Sequence, residues 1–194
     1  MGALADLLFG NGDQALARRV LGELFQQEKN RFSYAYCDVL QSQHGIAGVL
    51  LSYPAAVLKS FSIPMARQLK KIIGIGGIFR LLKNSWPFLG TTEACPDEYY
   101  IFTVAVHSSF QRQGLGTRLM AHAEAKARAA GLPKCSLGVT LDNEAALNFY
   151  EGLHYSIVET TRTPELQASI GYPGFHRLVK TLDQPIAPAD CPPA

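Results

Sequence analysis

The chain is most informative first through what it lacks. No apolar run approaches the roughly 20 residues that a bilayer-spanning helix needs. Cysteine is scarce: Cys37, Cys95, Cys135 and Cys191 have neither C-x-x-C spacing nor a histidine pattern for zinc. Scattered single cysteines fit a reducing compartment, and no metal is expected. Charge of one sign is also missing. Eighteen Lys and Arg against 16 Asp and Glu leave +2, which argues for neither a nucleic-acid nor a membrane partner. The first ten residues have no basic stretch and carry Asp6, so no secretory leader is expected. Asp6 also stands where a myristoylation motif wants Ser or Thr. The expected location is cytoplasmic. There are no internal repeats.

What remains is a globular composition, 47% hydrophobic and 18% charged. A chain of 194 residues suits one domain with a real core. Residues 1–182 are expected to form it, and 183–194, with four prolines, to be a flexible tail.

The chain is organised around residues 98–155. Tyr99-Tyr100-Ile101-Phe102-Thr103-Val104-Ala105-Val106 is apolar on both alternating faces, as expected of a central covered strand. Leu115, Leu119, Ala123 and Ala127 then recur at helical spacing until Gly131-Leu132-Pro133 stops the helix. Between them lies Gln111-Arg112-Gln113-Gly114-Leu115-Gly116-Thr117. A strand feeding a glycine-rich turn at a helix N-terminus suits anion binding, because the first-turn N–H groups are unpartnered and the macrodipole is positive there. The same glycines could serve only the dihedrals of a tight turn. Two nucleotide signatures fail. The third glycine of G-x-G-x-x-G would fall on Leu119, and G-x-x-x-x-G-K-[ST] is absent.

The turn does match Q-x-x-G-x-G, and here the region resembles the GNAT superfamily of acyl-CoA-dependent N-acyltransferases. A second block agrees: Asn143-Glu144-Ala145-Ala146-Leu147-Asn148-Phe149-Tyr150-Glu151-Gly152-Leu153 is similar to the family's N-x-x-A-x-x-F-Y pattern. The resemblance implies an α/β (α+β) fold with a mixed, mostly antiparallel central sheet flanked by helices and splayed between its two central strands. It implies acetyl-CoA as cosubstrate and an amine as acceptor, on a small molecule or a protein, with direct attack in a ternary complex. By the same resemblance Val104, Ala105 and Val106 pair with the pantetheine arm, while Gln111, Arg112, Gln113, Gly114, Leu115, Gly116 and Thr117 hold the pyrophosphate. Asn143 contacts the arm, and Tyr150 is both a cofactor contact and the general acid.

Each assignment has a plainer counterpart. Asn143 suits a helix N-cap, and Tyr150 could be an aromatic packed beside Phe149. Glu98, at the head of the strand, is the expected base, with Glu93, Asp97, His107 and Glu159 as other candidates. The rival functions are transfer from a longer acyl-CoA and a non-catalytic acyl-CoA-binding module.

Elsewhere, Asp13 reads as the N-cap of a helix over 13–30, and 32–40 and 46–53 as a hairpin turning over 41–45. Gly48 marks a bulge or a close approach. The family's first edge strand is not legible before residue 13. Its loss would leave a sheet edge that a second subunit could cover, so a homodimer is expected as one solution. Residues 54–89 read as a helical insertion before the acyl-CoA-binding strand, broken into two helices by Gly74, Gly76 and Gly77. Residues 155–162 and 175–182 read as a final strand pair joined by a loop over 163–174. Insertion and loop together are expected to wall the acceptor site.

Overall fold

The computed structural model describes residues 3–43, 45–88 and 90–182, so the expected tail over 183–194 lies outside the described residues. Two helices come first, α1 (Ala3–Gly10) and α2 (Gln14–Phe25). Then follow β1 (Cys37–Ser42), β2 (Gly45–Pro54), α3 (Leu58–Asn84) and β3 (Glu98–Val106). The second half runs α4 (Leu115–Ala129), β4 (Lys134–Thr140), α5 (Glu144–Gly152), β5 (Ser156–Arg162), α6 (Pro164–Ile170) and β6 (Gly174–Thr181). The strands form one sheet in the order β1-β2-β3-β4-β6-β5. Only β3 and β4 pair in parallel.

Helices cover both faces. On one, Leu119, Met120, Ala123 and Ala127 of α4 bury against Tyr99, Ile101, Leu137 and Leu178, with Phe149 and Tyr150 of α5 packed beside them. On the other, Phe9, Val20, Leu24 and Leu69 join α1, α2 and α3. Each fully buried leucine there contributes roughly 1.5–3 kcal/mol. An aromatic cluster of Tyr53, Phe61 and Tyr100 continues this layer.

Several boundaries differ from the sequence reading, each for a local reason. Asp13 does cap α2, accepting from the Ala15 and Leu16 N–H groups at 2.8 and 3.2 Å. The helix ends at Phe25 and not near Asn30, because buried Asn30 turns its side chain back on it. Its Nδ2 donates to Leu24 O at 2.9 Å and to Gln68 Oε1 of α3 at 3.0 Å. The aromatic run after it, read as strand, instead holds a short 3-10 helix (Tyr34–Tyr36), and the strand begins only at Cys37. Residues 163–174, read as loop, contain α6, for which Pro164 is an N1 residue and not a breaker. Gly48 marks a close approach: a Cβ there would lie 3.0 Å from Ala105 O and from Leu119 Cδ1. The glycine break in α3 falls at Gly74, whose φ of 67° departs from the helix. Among the described residues no helix is long and apolar enough to cross a membrane.

Candidate acyl-CoA and acceptor site

The site begins with a counting mismatch in β3. Ser52 pairs with Ile101 and Leu51 with Thr103, so Phe102 is an extra residue against β2. A bulge of this kind bends a strand and shifts its side-chain alternation. Tyr99 and Ile101 face α4, and beyond the bulge Val104 and Val106 pack against that same core while Thr103 and Ala105 are exposed. The parallel pairing with β4 stops at the same point, Ile101 with Leu137. β4 runs on through Gly138, Val139 and Thr140 paired only to β6. Hence Val104, Ala105 and Val106 keep their ladder to β2 and present an unpaired backbone edge towards β4.

That edge leads into the glycine turn. Gln111 Nε2 donates to Val106 O at 3.3 Å, and Gln113 Nε2 to Ser109 O at 3.4 Å, which tie the turn to the strand end. Arg112 and Gly114 both have positive φ, 58° and 74°. Gly114 caps α4 without a side-chain acceptor, and the first helical bond there runs from Arg118 N to Gly114 O. The N–H groups of Leu115, Gly116 and Thr117 are therefore the orphans of a helix start, suited to an anion. A Cβ on Gly114 would meet nothing within 4 Å, whereas one on Gly116 would sit 3.2 Å from Phe149 Cζ. Gly114 leaves room for a ligand. Gly116 makes room for α5.

Through that contact α5 is laid across the start of α4. Asn143 caps α5 with Oδ1, accepting from Ala146 N at 3.1 Å. Its capping role is thus met, and its amide N–H groups stay available. Tyr150 is half-buried with its ring 5.1 Å from Phe149 and 6.1 Å from Tyr155. Burial raises the pKa of its phenol.

The acids are distributed differently from the expectation. Glu98, 3% exposed, is ion-paired with Arg177 of β6 and also accepts from Cys95 N at 2.8 Å. Held by a guanidinium and a backbone N–H, it is ill suited to the water-activating role expected of it. Asp97 is paired with Lys134 at 2.8 Å, His107 accepts from Ser109 N at the far end of β3, and Glu159 is exposed on β5. Cys95, Asp97 and Glu98 bring possible ligand atoms within 4.8 Å of one another. The Arg177 guanidinium, 3.5 Å from Cys95 Sγ, already fills that cluster.

Glu93 is placed otherwise. It accepts from Arg31 Nη1 at 2.9 Å through Oε1, while Oε2 is buried without a hydrogen-bond partner. Burial works against the charge on Arg31, but the Glu93 carboxylate outweighs it and raises its pKa. Both residues line a cavity of about 560 Å³ on the α1 and α3 side of the sheet. Phe102, Gly138 and Thr140 from the splayed strands, Met65 and Leu82 from α3, and Tyr172 after α6 also line it. The insertion and the 163–174 segment therefore meet at one cavity beside the splay. Lys70, Lys71 and Arg80 point to solvent and do not line it. Sequence reasoning missed Arg31 and Arg177. Only Arg177 left a trace, a charge inside the strand Phe175-His176-Arg177-Leu178-Val179.

The chain matches known proteins along this same frame. It is 35% identical over 79 residues to the [ribosomal protein bS18]-alanine N-acetyltransferase of Escherichia coli, covering 40% of this chain and 53% of that protein. Matches to curated relatives span about half their length or less, 41% and 53%. A solved acetyltransferase superposes with a TM-score of 0.64 at 22% identity, covering 93% of this chain and 94% of the other. A Bacillus anthracis acetyltransferase in complex with acetyl coenzyme A gives 0.50 at 15% identity, covering 76% and 62%. These likenesses concern the fold. The profile of the Acetyltransferase (GNAT) family matches residues 23–155, which hold the bulged strand, the glycine turn and the Asn143 to Tyr150 block, and the chain belongs to that family.

Proposed function

We propose that the protein transfers an acetyl group from acetyl-CoA to a primary amine, with both substrates bound together. The observation that carries this reading is the splay at Phe102, which leaves an unpaired strand edge running into an uncapped helix start. An extended pantetheine arm fits such an edge as an added strand. The pyrophosphate fits the N–H groups of Leu115, Gly116 and Thr117, with Arg112 and Arg118 adding charge and Gly114 leaving clearance. A backbone N–H within residues 104–106 polarises the thioester carbonyl, and the Asn143 amide donates to the arm.

The amine nitrogen then attacks the carbonyl carbon, the C–N bond forms and the C–S bond breaks. The departing thiolate takes the proton of the Tyr150 hydroxyl. The proton lost by nitrogen goes to Glu93 Oε2 in our assignment, since the oxygens of Glu98 are occupied by Arg177 and Cys95 N. Glu98 then holds Arg177 in the cavity wall as a positioning residue.

Calorimetric titration with acetyl-CoA, followed by thiol release with pooled primary amines, tests the reading. Binding with amine-dependent thiol release is the expected result. Binding without release from any amine would mark an acyl-CoA-binding module. Release only from longer thioesters would shift the donor.

A further inference from the structure

The cavity beside the splay has a chemistry that bears on the acceptor. Its volume, about 560 Å³, lies within the roughly 300–1,000 Å³ usual for small-molecule sites. Its walls are mainly apolar, with Leu8, Phe9, Phe32 and Met65 from the helical side facing Tyr100 and Phe102 of β3. Among the described residues three charged ones line it, Arg31, Glu93 and Arg177. Arg177 is matched by Glu98 and Arg31 by one oxygen of Glu93. Two polar atoms of these three residues are left open, Glu93 Oε2 and Arg177 Nε, each buried with no hydrogen-bond partner, and only Glu93 Oε2 is an acceptor. Such an atom costs free energy unless a donor reaches it. Among the described residues no second carboxylate lines the cavity.

We infer that the acceptor is a small arylalkyl monoamine, its ammonium received by Glu93 Oε2 and its ring lodged among Phe9, Phe32, Met65 and Phe102. The inference rests on the acetyltransferase reading and narrows it. One uncommitted carboxylate oxygen in a mainly apolar cavity matches one cation on an apolar body. Polyamines and aminoglycosides would bring further ammonium groups against the guanidinium groups of Arg31 and Arg177, with no carboxylate to meet them. A peptide would have to carry its amide groups past the same apolar wall. α1, α3, the sheet and the segment after α6 line the space.

Acetyl-CoA affinity and kcat/KM are to be measured on the full chain with ethylamine, 2-phenylethylamine, tryptamine, spermidine, kanamycin and an alanine-headed tetrapeptide. Burial of the ring is expected to raise kcat/KM for the two arylalkyl amines by about 10²-fold over ethylamine and over the polycations. Glu93→Gln should lower kcat for every amine, as loss of the proton acceptor, and in addition raise KM for arylalkyl amines at least ~10-fold, while acetyl-CoA affinity is unchanged. Met65→Trp, which fills part of the cavity, should weaken arylalkyl amines more than ethylamine. Thermal melting of both variants shows that they are folded. If one does not fold, the wild-type panel still decides. Acetyl-CoA binding with ethylamine turnover but no arylalkyl preference overturns the inference and leaves the acetyltransferase reading intact. So does a preference for spermidine, kanamycin or the peptide. Failure to bind acetyl-CoA overturns both.

Discussion

The two sides of the splayed sheet are built on different plans. On the α4 and α5 side every position we assign to the cosubstrate comes from one continuous stretch, residues 104–150, and is set by local geometry. The glycine turn, the uncapped helix start and the Asn143 cap each span only a few residues. On the α1 and α3 side the cavity draws on α1, α3, β3, β4, β6 and three connecting segments, and its charges pair over long range, Arg31 with Glu93 and Arg177 with Glu98. A ligand common to many enzymes suits the first plan, since backbone groups and a short motif are enough to hold it. An acceptor peculiar to one enzyme suits the second, because side chains brought together by the fold can vary independently.

This contrast can be broken most severely at the donor side. Tyr150→Phe removes a proton donor while keeping the ring against Phe149 and Tyr155, and kcat should fall by about 10²–10⁴-fold with acetyl-CoA affinity nearly unchanged. Burial raises the Tyr150 pKa, and the donor works in its protonated form below that pKa. The alkaline limb of kcat that it sets should therefore lie above the ordinary phenol value of about 10 and vanish in the variant. Unchanged turnover, with chemistry rate-limiting, would make Tyr150 a packing residue.

At the acceptor side the largest effect is expected on stability. Arg177→Met strands the buried Glu98 carboxylate without its cation, and urea unfolding should show a loss of about 3–5 kcal/mol. A loss below about 1 kcal/mol would mean that Glu98 finds water or another donor in place of Arg177. Gly114→Glu returns to the donor side. It forces a side chain into φ 74° and sets a negative charge at the helix start, so acetyl-CoA should bind roughly 10²-fold more weakly in calorimetry. Equal affinity in a folded variant would remove the pyrophosphate from that turn. The smallest effect sharpens the comparison from outside both sides. Asp13→Ala deletes two capping hydrogen bonds of α2 and should cost about 1 kcal/mol by thermal melting, with kcat/KM unaltered.

How legible each part was follows from the same division. The strand over 99–106, the α4 periodicity and the turn were readable because strand alternation, helical spacing and glycine requirements are local rules. The mixed, mostly antiparallel sheet was expected from the resemblance and not from any residue. The aromatic run from Phe32 to Tyr36 looked like strand, but Tyr36 serves instead to pack on Tyr53 and Phe61, a contact invisible without the fold. α6 was hidden because proline reads as a breaker unless its position in the helix is known. Glu98 drew attention as a polar residue at a strand head, and its partner Arg177 lies 79 positions away. Glu93 was one carboxylate among several until Arg31 and the cavity set it apart. Gly116 was legible as a required glycine, but its neighbour was not, since Phe149 of α5 packs where a Cβ would lie.

The extra residue at Phe102 has a further consequence, for the timing of binding. A slip of β3 by one residue that restored strict alternation with β2 would turn Val104 and Val106 out of the core, or turn Tyr99 and Ile101 out at the other end. Neither half can re-register without exposing apolar side chains, so the gap between β3 and β4 is set by residue count and persists without ligand. The cosubstrate would then meet a receptor already in shape. Its association should be a single fast phase linear in concentration, with no slow isomerisation following it.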